Sequence, residues 1–424
     1  MKKEINKFLY FYRFLATVDI LNIPKLRFKE FTDEWVYYKY KDIFNLNQGL
    51  QIPITERFLD YAPNRFFYIT NEFLKPSSKK SYYIENPSPN VICTKEDILM
   101  TRTGNTGKVI TNIAGVFHNN FFRIKYNPKN FNKDFICCIL NQNKIQNKIL
   151  TLAGSSTIPD LNHKDFYSIK SRFPKLKEQE KIAKFINTVD KKIENIENTI
   201  SSLENQKKGL LQQIFSQKLR FKDENGNNYP NWEKKKLGDI ATLKNGISKS
   251  NEAFGHGKKF INLQDIFNKS YIFNDNYSLV DVTEKELSEN NLLKGDVLFV
   301  RSSVKREGVG LPCVIMENLI DTVYSGFIIR CRFNINENIY LHYKKYCFLE
   351  FSFRKALLKK SSSSANTNIN QDNLSKLYVK LPCLEEQTKI ADFLSAFDRK
   401  LENKKAQLEH WQQIKKGLLQ QMFV

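Results

Sequence analysis

The residues with most chemical promise form one short run, Arg102-Thr103-Gly104-Asn105-Thr106-Gly107-Lys108. Two glycines followed by a lysine invite a phosphate loop, in which backbone N–H groups close around phosphate oxygens. The spacing rejects it. The four-residue gap between the glycines is missing, and Val109 stands where a magnesium-binding Ser or Thr belongs. What remains is a tight loop presenting Arg102, Thr103 and Lys108, either an ordinary surface turn or a display to a nucleic-acid backbone or base edge. Arg301, Ser302, Lys305 and Arg306 occupy the corresponding place further along the chain. Arginine there can fork onto guanine, and Ser or Thr can hold a phosphate. Two further loops are small and polar: Ser155-Ser156-Thr157, after Lys148, and Ser361 to Ser364, after Lys359 and Lys360. For Ser155, Ser156 and Thr157, as for Ser363 and Ser364, a phosphate grip and a plain flexible turn weigh equally.

Catalytic patterns are incomplete wherever they begin. Asn86-Pro87 and Asn127-Pro128 lack the second proline and aromatic of an amino-methyltransferase tetrapeptide, and no glycine-rich cofactor fingerprint is present. Pro159-Asp160 with His163 and Lys164 looks like part of a nuclease motif. It lacks a second carboxylate at the needed spacing, so a structural role is the better reading. Seven cysteines form no Cys-x-x-Cys pair, and five histidines show no ligand spacing. Both facts speak against a disulfide scaffold or zinc site and fit a reducing, cytoplasmic setting. Lys2-Lys3 and the apolar stretch from Phe8 to Leu21 imitate a signal peptide. Arg13 and Asp19 interrupt it and no small-residue cleavage site follows, so residues 1–23 are expected to be an additional amphipathic helix or an extension from an early start codon. No membrane span is expected.

The elements that must position these loops declare themselves by repetition. Pro174 to Phe215 returns without a gap as Pro382 to Phe423, with 20 of the 42 aligned pairs identical. Each copy opens on Pro-x-Leu-x-Glu-Gln-x-Lys-Ile-Ala and closes on Lys-Lys-Gly-Leu-Leu-Gln-Gln. Apolar residues Ile186, Val189, Ile193, Ile196, Ile200, Leu203, Leu210 and Ile214 follow heptad spacing, as do Leu394, Phe397, Leu401, Leu408, Trp411, Leu418 and Met422. Lys207 and Lys415 fill the seam position that each copy skips. Some 38 residues at 1.5 Å each predict rods of roughly 55–60 Å, which are expected to pair antiparallel and cover each other's seam. The net charge of +22 avoids them: residues 24–173 carry +9 and 216–381 carry +8, against +2 and +1 on the repeats. Paired basic domains point toward nucleic acid.

The globular stretches share a weaker frame. Leu26-Arg27-Phe28-Lys29 matches Leu219-Arg220-Phe221-Lys222, Trp35 matches Trp232, and Gly49 and Gly246 each lie 14 residues after that tryptophan. Lys95 to Arg102 parallels Lys294 to Arg301. Short β-branched and aromatic runs mixed with helical pieces at 132–150 and 338–358 predict α+β domains. The whole order resembles the specificity subunit of a Type I restriction–modification system over residues 24–424. The resemblance implies residues 24–173 and 217–381 as target-recognition domains, and 174–216 and 382–424 as conserved helices of an antiparallel two-helix coiled coil between them, with an internal pseudo-twofold repeat. It further implies that each domain reads one half of a split double-stranded DNA target while the helices set the gap and dock two methyltransferase subunits. Those subunits bring S-adenosylmethionine and methylate adenine, and motor–nuclease subunits bring ATP and magnesium. The chain itself is expected to hold no cofactor or metal, to perform no catalysis and to touch no membrane. The alternative is a coiled-coil scaffold whose basic domains bind RNA or acidic proteins.

Overall fold

The computed structural model describes residues 23–75, 78, 80–154, 157–363 and 366–423. The two copies of the repeat are unbroken helices, Leu176–Phe215 and Leu384–Gln421. At 1.5 Å per residue, their 40 and 38 residues give rods of about 57–60 Å. The chain divides into two compact units, one taking Met1–Glu197 with Ala406–Val424 and the other Asn198–Lys405. The boundary falls inside both long helices. The five sequence segments are thus cut across, because each unit draws on the start of one helix and the end of the other to close its core.

In the first unit, a four-stranded antiparallel sheet runs in the order Phe44–Gln48, Phe121–Tyr126, Ile98–Thr101, Val109–Ile110. The second unit repeats that order with Ala241–Asn245, Ile328–Phe333, Val297–Val300 and Pro312–Ile315, and adds Tyr271–Ile272 at the edge. The central strands Ile98–Thr101 and Val297–Val300 are buried at every position, which is why they read as continuous apolar runs and not as alternation. Each unit has a second sheet with a parallel pair: Arg65–Ile69 beside Gly115–Phe117, and Phe254–Ile261 beside Thr322–Tyr324. Gly49 and Gly246 carry the chain between sheets. A Cβ at Gly49 would collide with the carbonyl oxygens of Phe117 and His118, and one at Gly246 with those of Tyr324 and Ser325.

The helical pieces expected at 132–150 and 338–358 are each two helices, Lys133–Leu140 with Asn143–Ala153, and Tyr343–Leu349 with Phe351–Lys360. Glu350 sets the second break by accepting from the N–H groups of Ser352 and Phe353, whereas Asn132 caps the start of the first pair by accepting from the Phe135 N–H.

The repeat's signature residues fasten the start of each rod to the unit that holds it. Glu178, 2% exposed, takes a two-pronged bond from Arg27 (both 2.7 Å) and one from the Trp35 indole at 3.3 Å. Glu386, fully buried, does the same with Arg220 at 3.2 and 2.7 Å and Trp232 at 2.8 Å. The neighbouring Gln179 accepts from the Asn132 N–H and donates to the carbonyls of Asn130 and Pro174. Gln387 repeats this with Tyr340, Asn338 and Pro382. Burying a charge is tolerable only when it is paired and bonded; here Leu-Arg-Phe, Trp and Glu-Gln supply each other's partners.

The end of the other helix completes each core, so within each unit the two helices run antiparallel. In the first, Phe423 stacks on Phe135 (5.4 Å) and meets Trp35 edge-on, above Ile182, Ala183 and Ile186. In the second, Phe215 stacks on Tyr343 (6.0 Å) and meets Trp232, beside Ile390, Ala391 and Leu394. The seam lysines find carboxylates across the helix pair. Lys415 reaches Asp190 at 2.5 Å, and Lys207 pairs with Asp398 at the same repeat positions. A charged residue therefore stands in the apolar seam because it has a fixed partner opposite.

Candidate functional site

The Arg102 loop is a strand–turn–strand and not a strand–turn–helix, since Val109–Ile110 pairs straight back on Ile98–Thr101. Its last two amides are consumed locally. Gly107 N–H donates to the Thr101 carbonyl at 2.8 Å, and Lys108 N–H to the Thr101 hydroxyl at 2.8 Å. Gly104, Asn105 and Gly107 all have positive φ, at 67°, 55° and 89°, which coils the turn so tightly. With those two donors spent and the chain returning as a strand, the run lacks the helix N-terminus on which a phosphate loop is built. What it offers outward is Asn105 and Lys108, which are exposed, and one face of Arg102.

Arg102 is held from behind. Its Nε and Nη2 meet the two oxygens of Asp160 at 2.9 and 2.5 Å, and the Thr103 hydroxyl also bonds Asp160. Hydrogen bonds from Arg102, and then from Thr103, hold the Asp160 carboxyl below its usual pKa. The backbone fixes the pair: Thr103 bridges Asp160, Leu161 N–H donates to the Arg102 carbonyl, and the Thr106 hydroxyl donates to Pro159. Asp160 therefore belongs to an arginine-holding pair and not to a nuclease carboxylate set.

The second unit builds the same scaffold with different chemistry. Ile369 N–H donates to the Arg301 carbonyl, as Leu161 does to Arg102. Asn368 stands where Asp160 stands, and Arg301 turns its Nη1 to the Gly326 carbonyl at 2.9 Å. Ser302 is 8% exposed and pairs with Asn368 in a small sheet that also contains Ser362–Ser363. Burial removes the Ser302 side chain from the surface set. Lys305 and Arg306 are exposed, as is Thr157 in the first unit. Ser155, Ser156 and Ser364 lie outside the described residues, as does the side chain of Ser363.

Asp160 and Asn368 carry the difference between the two loops, and the offset of 208 that aligns the repeats also aligns these two residues. The contact itself leaves no mark in sequence, because Arg102 and Asp160 are 58 positions apart. Phe327, 59% exposed, and Val304, 85% exposed, also lie beside Arg301 in the chain or across its strand, and sequence reading did not mark them.

Burial shapes several thiols and one imidazole. The seven cysteines are free thiols, and burial pushes Cys93 up to about 11 and Cys137, Cys138 and Cys313 to about 12. A thiol protonated at neutral pH is a poor nucleophile. Burial likewise lowers His118 to about 4. Among the described residues no cluster of three or more His, Cys, Asp or Glu side chains is placed to hold a metal, and no helix is long and apolar enough to cross a membrane. A cleft in the first unit is lined by Trp35, Tyr37, Lys170, Arg172 and Phe423, and by none of the loop residues above.

The family model for the Type I restriction modification DNA specificity domain matches this chain twice, over residues 32–205 and 229–410. The chain belongs to that family. It is 24% identical over 402 residues to the Type I restriction enzyme MjaVIII specificity subunit of Methanocaldococcus jannaschii, covering 91% of each chain. It is also 24% identical over 265 residues to the EcoKI specificity subunit of Escherichia coli, covering 60% of this chain and 56% of that one. In fold it is similar to the S subunit of a Type I restriction–modification system from M. genitalium, with a TM-score of 0.58 at 16% identity, covering 95% of this chain and 99% of that one. Both matches of the specificity-domain model take in one globular stretch and most of the long helix that follows it. The Arg102–Asp160 pair falls in the first match and the Arg301 loop in the second.

Proposed function

We propose that this chain is the DNA sequence-specificity subunit of a Type I restriction–modification complex, each globular half reading one part of a split duplex target. The observation that carries this reading is one scaffold built twice with unlike chemistry at the same spot: Arg102 on Asp160 in one half, Arg301 on a backbone carbonyl in the other. Identical loops would read the same bases twice, whereas unlike loops on a common frame read two different words. The charge agrees, because the excess of cations sits on the globular stretches.

In this reading the unbroken helices hold the unread interval between the two words and present surface to two methyltransferase subunits. The chain is a reader without a reaction of its own. S-adenosylmethionine for adenine methylation comes with the methyltransferases, and ATP with magnesium comes with motor–nuclease subunits. The cytoplasm is where such a complex meets its DNA. Sequencing methylated adenines in cells with and without this gene tests the reading. A two-part motif whose methylation disappears with the gene is the expected result. An unchanged methylation pattern, with the purified chain favouring RNA or an acidic protein over duplex DNA, would replace it with a scaffold.

A further inference from the structure

A carboxylate does not belong on a surface meant for phosphates unless it has a task there. Asp160 is such a carboxylate: its side chain is 42% exposed, beside the exposed Lys108 loop and the 28%-exposed Arg102 side chain. The guanidinium is planar and carries five N–H donors. Asp160 occupies the edge formed by Nε and Nη2. That leaves the outer edge, Nη1 with the second hydrogen of Nη2, and Nη1 has no hydrogen-bond partner among the described residues. Two parallel N–H vectors on one edge are what the O6 and N7 acceptors of guanine require. A free arginine has several rotatable bonds and pays rotamer entropy to reach that pose, whereas one clamped on its far edge is already oriented.

Resting on the DNA-reading function proposed above, we infer that Asp160 is a positioning residue that aims Arg102 as a fixed fork at a guanine in one half of the target. Thr103 serves the same clamp, since its hydroxyl is spent on Asp160 and not on DNA. The second half works differently. With Asn368 in the equivalent place, Arg301 is steadied at one nitrogen by Gly326, so that half does not depend on a carboxylate clamp.

The experiment co-expresses the full chain with its methyltransferase subunits in a host free of adenine methylation, and reads the methylated motif for wild type, Asp160→Asn, Arg102→Lys and Arg102→Ala. Binding of cognate and mismatched duplexes by the same complexes is measured alongside, with melting temperatures. Asp160→Asn removes one negative charge beside DNA, so affinity for unrelated duplex should rise slightly. Discrimination at one guanine of one half-site should fall about five- to hundredfold, and the other half should stay unchanged. Arg102→Lys, which keeps the charge but lacks the fork, should relax the same position. Equal losses on cognate and mismatched duplex together with a lower melting temperature would overturn the clamp and leave Asp160 structural. An unchanged motif in all three variants would also overturn it while leaving the reading function standing. If the wild-type complex itself yields no two-part motif, it is the function proposal that falls.

Discussion

Lys108 and Lys305 stand exposed on the two loops, and neither has a salt-bridge partner among the described residues. A flexible lysine in this position acts as a point charge for phosphate and carries no base information. Lys108→Ala and Lys305→Ala are therefore each expected to weaken duplex binding about equally for all sequences. Each should also reduce by about one the slope of log affinity against log salt. Titrations across salt concentrations check this, and a change in the preferred sequence would show that a lysine reads bases after all.

The seam pairs at the scale of elements show how one repeat position takes on two weights. Asp190 and Lys415 have side chains 42% and 34% exposed, so solvent screens them. Asp398 is 15% exposed and is shared by Lys207, the Tyr346 hydroxyl and the Nζ of Lys345, a lysine only 5% exposed. Counting 208 positions back from Lys345 gives Cys137, so the first unit has no equivalent buried cation. Asp398→Asn would strand Lys345 and is expected to cost about 3–5 kcal/mol, against less than about 1 kcal/mol for Asp190→Asn, read from denaturant unfolding. Burial works against ionisation of Asp398, but Lys345 and Lys207 outweigh it and hold its pKa below the usual value. A lowered folded-state pKa contributes stability above the unfolded value, near 4, that is lost as pH falls through the folded one. The gap between wild type and Asp398→Asn should accordingly be full at neutral pH and close in acid below about pH 4. A gap that does not change with pH would mean that packing and not charge sets it.

At the scale of the whole molecule, duplication is the design principle, and assembly is its consequence. The rods are nearly neutral and carry exposed polar faces such as Glu194, Glu197, Glu402 and Lys405, while the basic excess lies elsewhere. A nearly neutral surface attracts DNA less than the basic stretches do, which leaves the rods to other contacts. Gel filtration of the full chain with its methyltransferase is expected to give one stable complex that persists at salt concentrations which release DNA. Separate elution of the two proteins would remove the docking role from the helices.

The long helices, their antiparallel pairing and the two-part plan were legible because each rests on a local rule repeated: heptad spacing, absence of Gly and Pro, and one constant offset. The motif residues Arg27, Trp35, Glu178 and Gln179 were visible as a signature but not as one buried network, since the partners lie up to 151 positions apart. The same limit hid the site. Arg102 was marked by its type and its loop, and Ser302 was marked with it, yet burial took Ser302 away and Asp160 turned Arg102 from a loose cation into an oriented one. Periodicity and composition act along the chain and can be read there, whereas the aim of a side chain is set by whatever the fold brings up behind it.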